Sequence, residues 1–160
     1  MPIAEIAQRY LREAIRLSIE NVESGQGGPF GAIVVYQGEI IGRGTNLVTA
    51  TNDPTAHAEV VAIRRACQHR QSFMLDDCEI YTSCEPCPLC LAAIYWSRMT
   101  KIYYAATCDD AAAAGFDDRI FYEELAKPIE SRQIPAVHLL REEASAAFAA
   151  WMRSSGRIDY

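Results

Sequence analysis

The sequence lacks several features that define large classes of proteins. No run of about 18 apolar residues occurs, and the longest apolar stretch, residues 87–96, suits a buried helix. Lys and Arg number 15 against 21 Asp and Glu, so the formal net charge is −6 and no excess of positive charge can neutralise phosphates. Internal repeats and low-complexity tracts are also missing. These absences disfavour a membrane-spanning or nucleic-acid-binding protein and favour a small neutral substrate.

The first residues of the chain lack a basic flank followed by an apolar core, so no secretory signal is recognised and a reducing cytoplasm is the expected compartment. The six cysteines of the sequence then need a role other than disulfide formation. Half of the residues are hydrophobic, and the 160 residues suffice for one domain with its own core. We therefore expect a single domain over residues 1–160.

The order of the hydrophobic patterns predicts an α/β fold. Three-and-four spacing of apolar residues predicts helices, and short β-branched runs beside glycine predict strands. The alternation of the two favours helices packed on both faces of one mixed sheet. The predicted elements are a helix to about residue 24, hairpin strands at 30–36 and 39–44, a helix over 56–71, a strand at 79–82, a helix over 87–97, a strand at 101–105, and two or three helical pieces around a candidate edge strand at 136–140.

Two short segments carry the residues of a metal site. His57 lies at the start of one predicted helix, and Cys87 and Cys90 lie at the start of another, with Pro88 in its first turn. One neutral imidazole and two thiolates carry a charge of −2, which balances Zn²⁺ and leaves the fourth tetrahedral position for a water. The three residues therefore predict a catalytic zinc site.

Glu59 is the candidate proton carrier of this site. Two residues on an ideal helix are separated by about 200°, so His57 and Glu59 converge on one point only when His57 stands at the helix entrance. Glu59 then reaches the metal-bound water without being a ligand, accepts its proton and passes it to the substrate.

A closed structural zinc site is the alternative interpretation. Cys84 lies three residues before Cys87 and is the candidate fourth ligand. Four protein ligands would leave no position for a water. A structural site has no use for the carboxylate of Glu59, so we expect Cys84 to line the site without binding the metal. An iron–sulfur cluster is disfavoured because such clusters usually take four thiolates.

The combined pattern, His-x-Glu followed by Pro-Cys-x-x-Cys, is an established signature of zinc-dependent nucleobase deaminases. Beyond it, the sequence resembles the small bacterial guanine deaminases of the cytidine deaminase-like superfamily. The zinc segments alone would also fit bacterial tRNA adenosine deaminases, whereas residues 115–118 and the terminal Tyr160 point to guanine. The stretches that carry the resemblance are residues 27–32, 52–59, 82–90 and 114–118.

The resemblance implies a three-layer α/β/α fold around a mixed five-stranded sheet. It also implies a homodimer in which a C-terminal segment, about residues 141–160, crosses to the partner and completes its active site. The roles that it implies are zinc binding by His57, Cys87 and Cys90, proton transfer by Glu59, and substrate binding by Phe30, Asn46, the backbone near Ala58, Trp96, Asp118 and Tyr160.

The expected reaction is the zinc-dependent hydrolysis of guanine to xanthine and ammonia, with no nucleic acid or membrane as partner. A guanosine or other nucleoside deaminase stays open, because a ribose would occupy the region that the tail caps. A tRNA adenosine deaminase is disfavoured by the net charge, since a bound RNA loop needs flanking basic residues. A zinc-binding module without catalysis is the remaining alternative.

Overall fold

The computed structural model describes residues 3–160, and the chain divides into two units. The first unit ends at Asp118, and the second is Arg119–Tyr160. The prediction of one domain over residues 1–160 stays a prediction. Among the described residues, no helix combines the length and the apolar character that a bilayer crossing requires.

Residues 3–118, the described part of the first unit, form five helices and four strands. Their bounds lie within two residues of most of the predicted ends, because glycines, prolines and turn residues mark the boundaries in the sequence. In chain order the elements are α1 (Ile3–Glu23), β1 (Gly31–Tyr36), β2 (Glu39–Thr45), α2 (Val48–Thr51), α3 (Ala58–Arg70), β3 (Cys78–Cys84), α4 (Pro88–Trp96), β4 (Lys101–Ala106) and α5 (Cys108–Ala113).

The sheet is mixed and has the strand order β2-β1-β3-β4. Strand β1 runs antiparallel to β2 and β3, whereas β3 and β4 are parallel. The expected fifth strand is absent from this sheet among residues 3–160. Residues 136–140 were its candidate, but they are exposed and form no ladder with another described strand, and a strand exists only where its backbone groups are paired.

Helices cover both faces of the sheet. One face packs its side chains against α3 and α4, with Ala32 and Val34 meeting Ala62 and Ile94. The other face packs against α1, where Ile33 lies in a cluster with buried residues of that helix. This alternation along β1 follows from the period of two in a strand. The predicted three-layer α/β/α arrangement is confirmed.

Two glycines allow α3 to lie unusually close to β2. A Cβ atom at Gly44 would collide with the backbone carbonyl of Ala58, and one at Gly42 would collide with that of Ala62. Because Ala58 is the first residue of α3, this contact fixes where that helix begins relative to the sheet. The sequence therefore uses glycine to set the position of His57, the residue directly before the helix.

The second unit consists of α6 (Arg119–Ala126), a 3₁₀ turn (Ile129–Ser131) and α7 (Arg141–Arg153). Its large apolar side chains are mostly exposed, and none of its residues is fully buried. On α7, Phe148 and Met152 are 74% and 66% exposed. This helix thus presents an apolar surface that its own unit does not cover.

Candidate active site

The site residues of the first unit meet at one end of the sheet. Phe30 directly precedes β1 and Asn46 directly follows β2, so the antiparallel hairpin places them side by side. Strand β1 also runs antiparallel to β3, and β4 runs parallel to β3, so the ends of β3 and β4 lie at that same edge. The segments that lead to Cys87 and Asp118 start from those two ends.

His57 and Cys87 occupy equivalent positions at the starts of two helices. Each is the N-cap residue, with an extended backbone, of α3 and α4 respectively. Pro88 takes the first position of α4, where its missing N–H costs no hydrogen bond. The unpaired N–H groups and positive dipole ends of both helices therefore point towards the site, where they favour thiolates and an anionic transition state.

The three predicted ligands form a cluster that fits zinc. Nδ1 of His57 lies 3.5 Å from Sγ of Cys87 and 3.4 Å from Sγ of Cys90. The ligand atoms of all three residues lie within 4.8 Å of one another. Ligands of a tetrahedral zinc ion are separated by about 3.6 Å at ordinary Zn–S and Zn–N bond lengths. The spacing and the donor set therefore match a zinc site with three protein ligands.

Electrostatics at this cluster already favours one thiolate. Hydrogen bonding from Cys90, together with that from His57, lowers the pKa of Cys87 to about 4. The hydrogen bond to Cys87 and burial raise the pKa of Cys90, and the hydrogen bond to Cys87 raises the pKa of His57. Zinc binding must displace the protons of the Cys90 thiol and the His57 imidazole. Protons therefore compete with zinc for the site at low pH.

Glu59 lies at the cluster in a buried position. It is 8% exposed and stands in the first turn of α3, two residues after His57. Burial raises the pKa of its carboxyl group, while a hydrogen bond with Cys90 acts in the opposite direction. A buried carboxylate that is not needed as a ligand, next to a metal cluster, is suited to moving protons.

Cys84 is not part of the metal cluster. Within residues 3–160, the group of metal-binding side chains at this site comprises His57, Cys87 and Cys90. The thiol of Cys84 donates to the backbone carbonyl of Thr107 over 3.4 Å, and burial raises its pKa to about 11. A neutral thiol that is engaged elsewhere favours the open site over the closed alternative.

Phe30 and Asn46 lie at this edge of the sheet, and Ala58 directly follows His57. The backbone N–H of Asn46 donates to the carbonyl of Phe30 over 3.1 Å, and its side-chain Oδ1 accepts from the N–H of Val48 over 3.3 Å. Ala58 is fully buried as the first residue of α3, where a backbone N–H has no acceptor within its own helix.

Asp118 lies close enough to the metal cluster to interact with it electrostatically. Burial raises the pKa of its half-buried carboxyl group, and the negative charge of Cys87 adds to the effect. The same segment places Phe116 edge-on against Phe30, with ring centroids 4.9 Å apart. Phe116 had no predicted role of its own, and the only sequence signal for it is its place between Gly115 and Asp118.

Trp96 and Tyr160 are the other two predicted substrate residues. Trp96 ends α4, six residues after Cys90, and its side chain is mostly exposed. Tyr160 is the last residue of the second unit and is also exposed. Their contacts with a substrate stay predictions.

Comparison with known proteins identifies a family and several relatives of the chain. Residues 4–106 match the family model described as the cytidine and deoxycytidylate deaminase zinc-binding region. The chain is 50% identical to the guanine deaminase of Bacillus subtilis over 96% of its own length and 98% of that relative. The crystal structure of this relative superposes with a TM-score of 0.93.

More distant relatives include a tRNA-specific deaminase and a protein solved with a purine ligand. The tRNA-specific adenosine deaminase of Aquifex aeolicus is 41% identical over 61% of this chain and 64% of its own. A further solved structure, described as a complex with 2,6-diaminopurine, is 28% identical, covers 96% of this chain and 85% of its own, and has a TM-score of 0.67.

Proposed function

The chain belongs to the cytidine and deoxycytidylate deaminase zinc-binding family, and we propose that it catalyses the hydrolysis of guanine to xanthine and ammonia. The observation that carries this function is the buried Glu59 beside the zinc site of His57, Cys87 and Cys90. The high identity to a guanine deaminase over nearly the whole chain supports guanine as the substrate.

The zinc site supplies the activation of water. His57, Cys87 and Cys90 would hold the zinc ion, which when bound would supply Lewis-acid activation of a water at neutral pH. The protein holds the ligands at the starts of α3 and α4, so their positions are set by two helices and not by mobile loops.

Glu59 carries the protons of the reaction. The water oxygen bonds to C2 of guanine, and Glu59 accepts the proton that the water loses. It delivers that proton to the adjacent ring nitrogen, then takes the proton of the new hydroxyl group on C2 and passes it to the amino group, after which the C2–N bond breaks and C2 becomes a carbonyl. One guanine and one water thus give one xanthine and one ammonia.

The remaining residues hold the base. The carboxylate of Asp118 suits the N–H donors of guanine, and the side chain of Asn46 and the backbone N–H of Ala58 suit its polar acceptors. Phe30, braced by Phe116, offers a flat apolar contact for one face of the ring. Bases with another donor pattern would leave these polar groups unpaired, which selects against them.

A parallel assay of ammonia release tests the function. We expect release from guanine and none from guanosine, cytosine, adenine or a tRNA anticodon stem. Release from guanosine but not guanine would support the nucleoside alternative, and release from the RNA would support tRNA editing, which the Aquifex aeolicus relative favours. Full zinc content without ammonia from any of them would indicate a structural module.

We propose that the protein acts as a homodimer in the cytoplasm. The exposed apolar side chains of α7 support an association between copies, because such a surface is unfavourable in water. In this arrangement the C-terminal segment, about residues 141–160, would serve the site of the partner. The six cysteines are all free thiols, which supports a reducing compartment.

Removal of residues 158–160 is expected to lower kcat by about 10- to 100-fold without releasing zinc, because Tyr160 would no longer close the site around the base. Steady-state kinetics and metal analysis of the purified variant check both parts. Ser155→Ala, an exposed change in the same tail, should retain full activity. Full activity of the truncated protein would refute a role of the tail.

A further inference from the structure

Asn21 connects the two backbone segments that carry substrate residues. It lies on α1, two residues before the end of the helix, and is 3% exposed. Its Nδ2 donates to the carbonyl of Gly28 and to the carbonyl of Asn46, over 2.9 Å in both cases. One side-chain amide therefore joins the loop before β1 to the residue after β2.

Both carbonyl groups belong to a short chain of hydrogen bonds that ends at the site. The N–H of Phe30 donates to the carbonyl of Gly28 over 2.8 Å, and the N–H of Asn46 donates to the carbonyl of Phe30 over 3.1 Å. The relative position of Phe30 and Asn46 is thus fixed by backbone bonds that converge on Asn21.

Few side chains could replace Asn21 in this arrangement. Its two partners are carbonyl oxygens, which only accept, so the position requires two N–H donors on one short side chain. A hydroxyl group donates once and a carboxylate donates not at all. The backbone at Gly27 also packs closely against this segment, because a Cβ there would collide with the carbonyl of Asn46.

The unpaired oxygen of the Asn21 amide indicates that the residue does more than stabilise the fold. Oδ1 of Asn21 is buried and has no hydrogen-bond donor among the described residues. A buried acceptor without a donor is destabilising. If Asn21 only stabilised the fold, an apolar side chain would avoid the unpaired oxygen. The two N–H donors of Asn21 therefore have a role that outweighs this destabilisation.

We infer that Asn21 is a positioning residue that holds Phe30 and Asn46 at the spacing required by the purine ring. The inference rests on the proposed function, in which these two residues contact the base. Asn21 itself lies behind them and acts through their backbone.

Two substitutions separate the donors from the space that the side chain fills. Asn21→Leu keeps a branched side chain of similar shape but lacks the N–H donors. Asn21→Ala removes the donors and most of the side-chain volume as well. Ser18→Ala is the matched control, because Ser18 is also buried on α1 but its hydroxyl donates to the carbonyl of Ile15 in its own helix.

The two Asn21 variants are expected to raise KM for guanine about tenfold, with kcat and zinc content changed less than about threefold, since uniform binding of the base is weakened. Deuterium exchange of peptides that cover residues 25–31 and 44–48 should accelerate in both variants relative to the wild type. Ser18→Ala should leave KM and the exchange of both peptides unchanged.

Unchanged exchange in both peptides would overturn the inference, and so would unchanged KM together with a lower melting temperature, since the residue would then serve stability alone. The exchange measurement needs no substrate. It therefore decides the role of Asn21 in the backbone even if the wild type releases no ammonia from guanine, a result that would refute the proposed function separately.

Discussion

Replacing Glu59 with glutamine is expected to lower kcat for guanine deamination by about 10²- to 10⁴-fold while zinc stays bound. Glutamine has nearly the same shape but cannot accept the proton of the attacking water. Because Glu59 is not a member of the metal cluster, its replacement leaves the three zinc ligands in place. Kinetics and metal analysis on the same preparation measure the two effects together.

Glu79→Gln is the control for this prediction. Glu79 is also a partly buried carboxylate, but it lies on β3 and accepts a hydrogen bond from the hydroxyl of Tyr81 over 2.6 Å. Its neutralisation should change stability slightly and leave kcat unchanged. If Glu59→Gln retained more than a tenth of the wild-type kcat, proton transfer by Glu59 would be refuted.

Replacing Cys90 with serine is expected to weaken zinc binding by on the order of 10²-fold or more and to remove activity with it. The loss of a direct ligand exceeds the 10- to 100-fold effect that is typical of residues behind the ligands. A serine hydroxyl at position 90 is also a weaker zinc ligand than a thiolate. Cys87, whose pKa is lowered to about 4, would then be the one thiolate ligand of the cluster. Zinc titration against a competing chelator measures the change in affinity.

Cys84→Ser is the control variant, because Cys84 is a nearby cysteine that is not expected to bind the metal. Cys84 is buried near the same helix start, and its thiol donates to the carbonyl of Thr107, a bond that a serine hydroxyl can also make. We expect the variant to bind one zinc per chain and to stay active. Loss of stoichiometric zinc from Cys84→Ser would instead indicate a closed site with four protein ligands and no position for a water.

The zinc chemistry of this protein could be predicted from the sequence because it depends on short spacings. Cys87 and Cys90 lie within one turn of a helix that Pro88 helps to start, and Glu59 follows His57 by two residues. Such local spacings do not depend on distant parts of the fold, so the ligand set and the place of Glu59 beside it follow from residue types and spacing. The structure confirms that the three ligands form one cluster.

The number of strands in the sheet could not be predicted from local sequence patterns. Residues 136–140 have the composition of an edge strand, yet they are exposed and unpaired within the described chain. A strand requires a neighbour with free backbone groups, and no sequence pattern states which neighbour that is. The five-stranded sheet was implied by the resemblance alone, and the first unit has four strands.

The substrate side of the site also depended on tertiary structure. Phe30 and Asn46 were assigned through the resemblance, but the antiparallel register of β1 and β2 places them together. No signal in the sequence connects Asn21 with Gly28 and Asn46, because the link exists only after α1 packs against the hairpin. Phe116 likewise gains a role only through its contact with Phe30.

The sequence by itself determined the absence of long apolar runs, the acidic balance, the donor set for zinc and the carboxylate that we propose as the proton carrier. These properties are carried by composition or by residues a few positions apart. The tertiary structure decided which distant segments lie beside the metal ligands, because strand pairing and helix packing bring together residues that are far apart in the chain, such as Phe30 and Phe116.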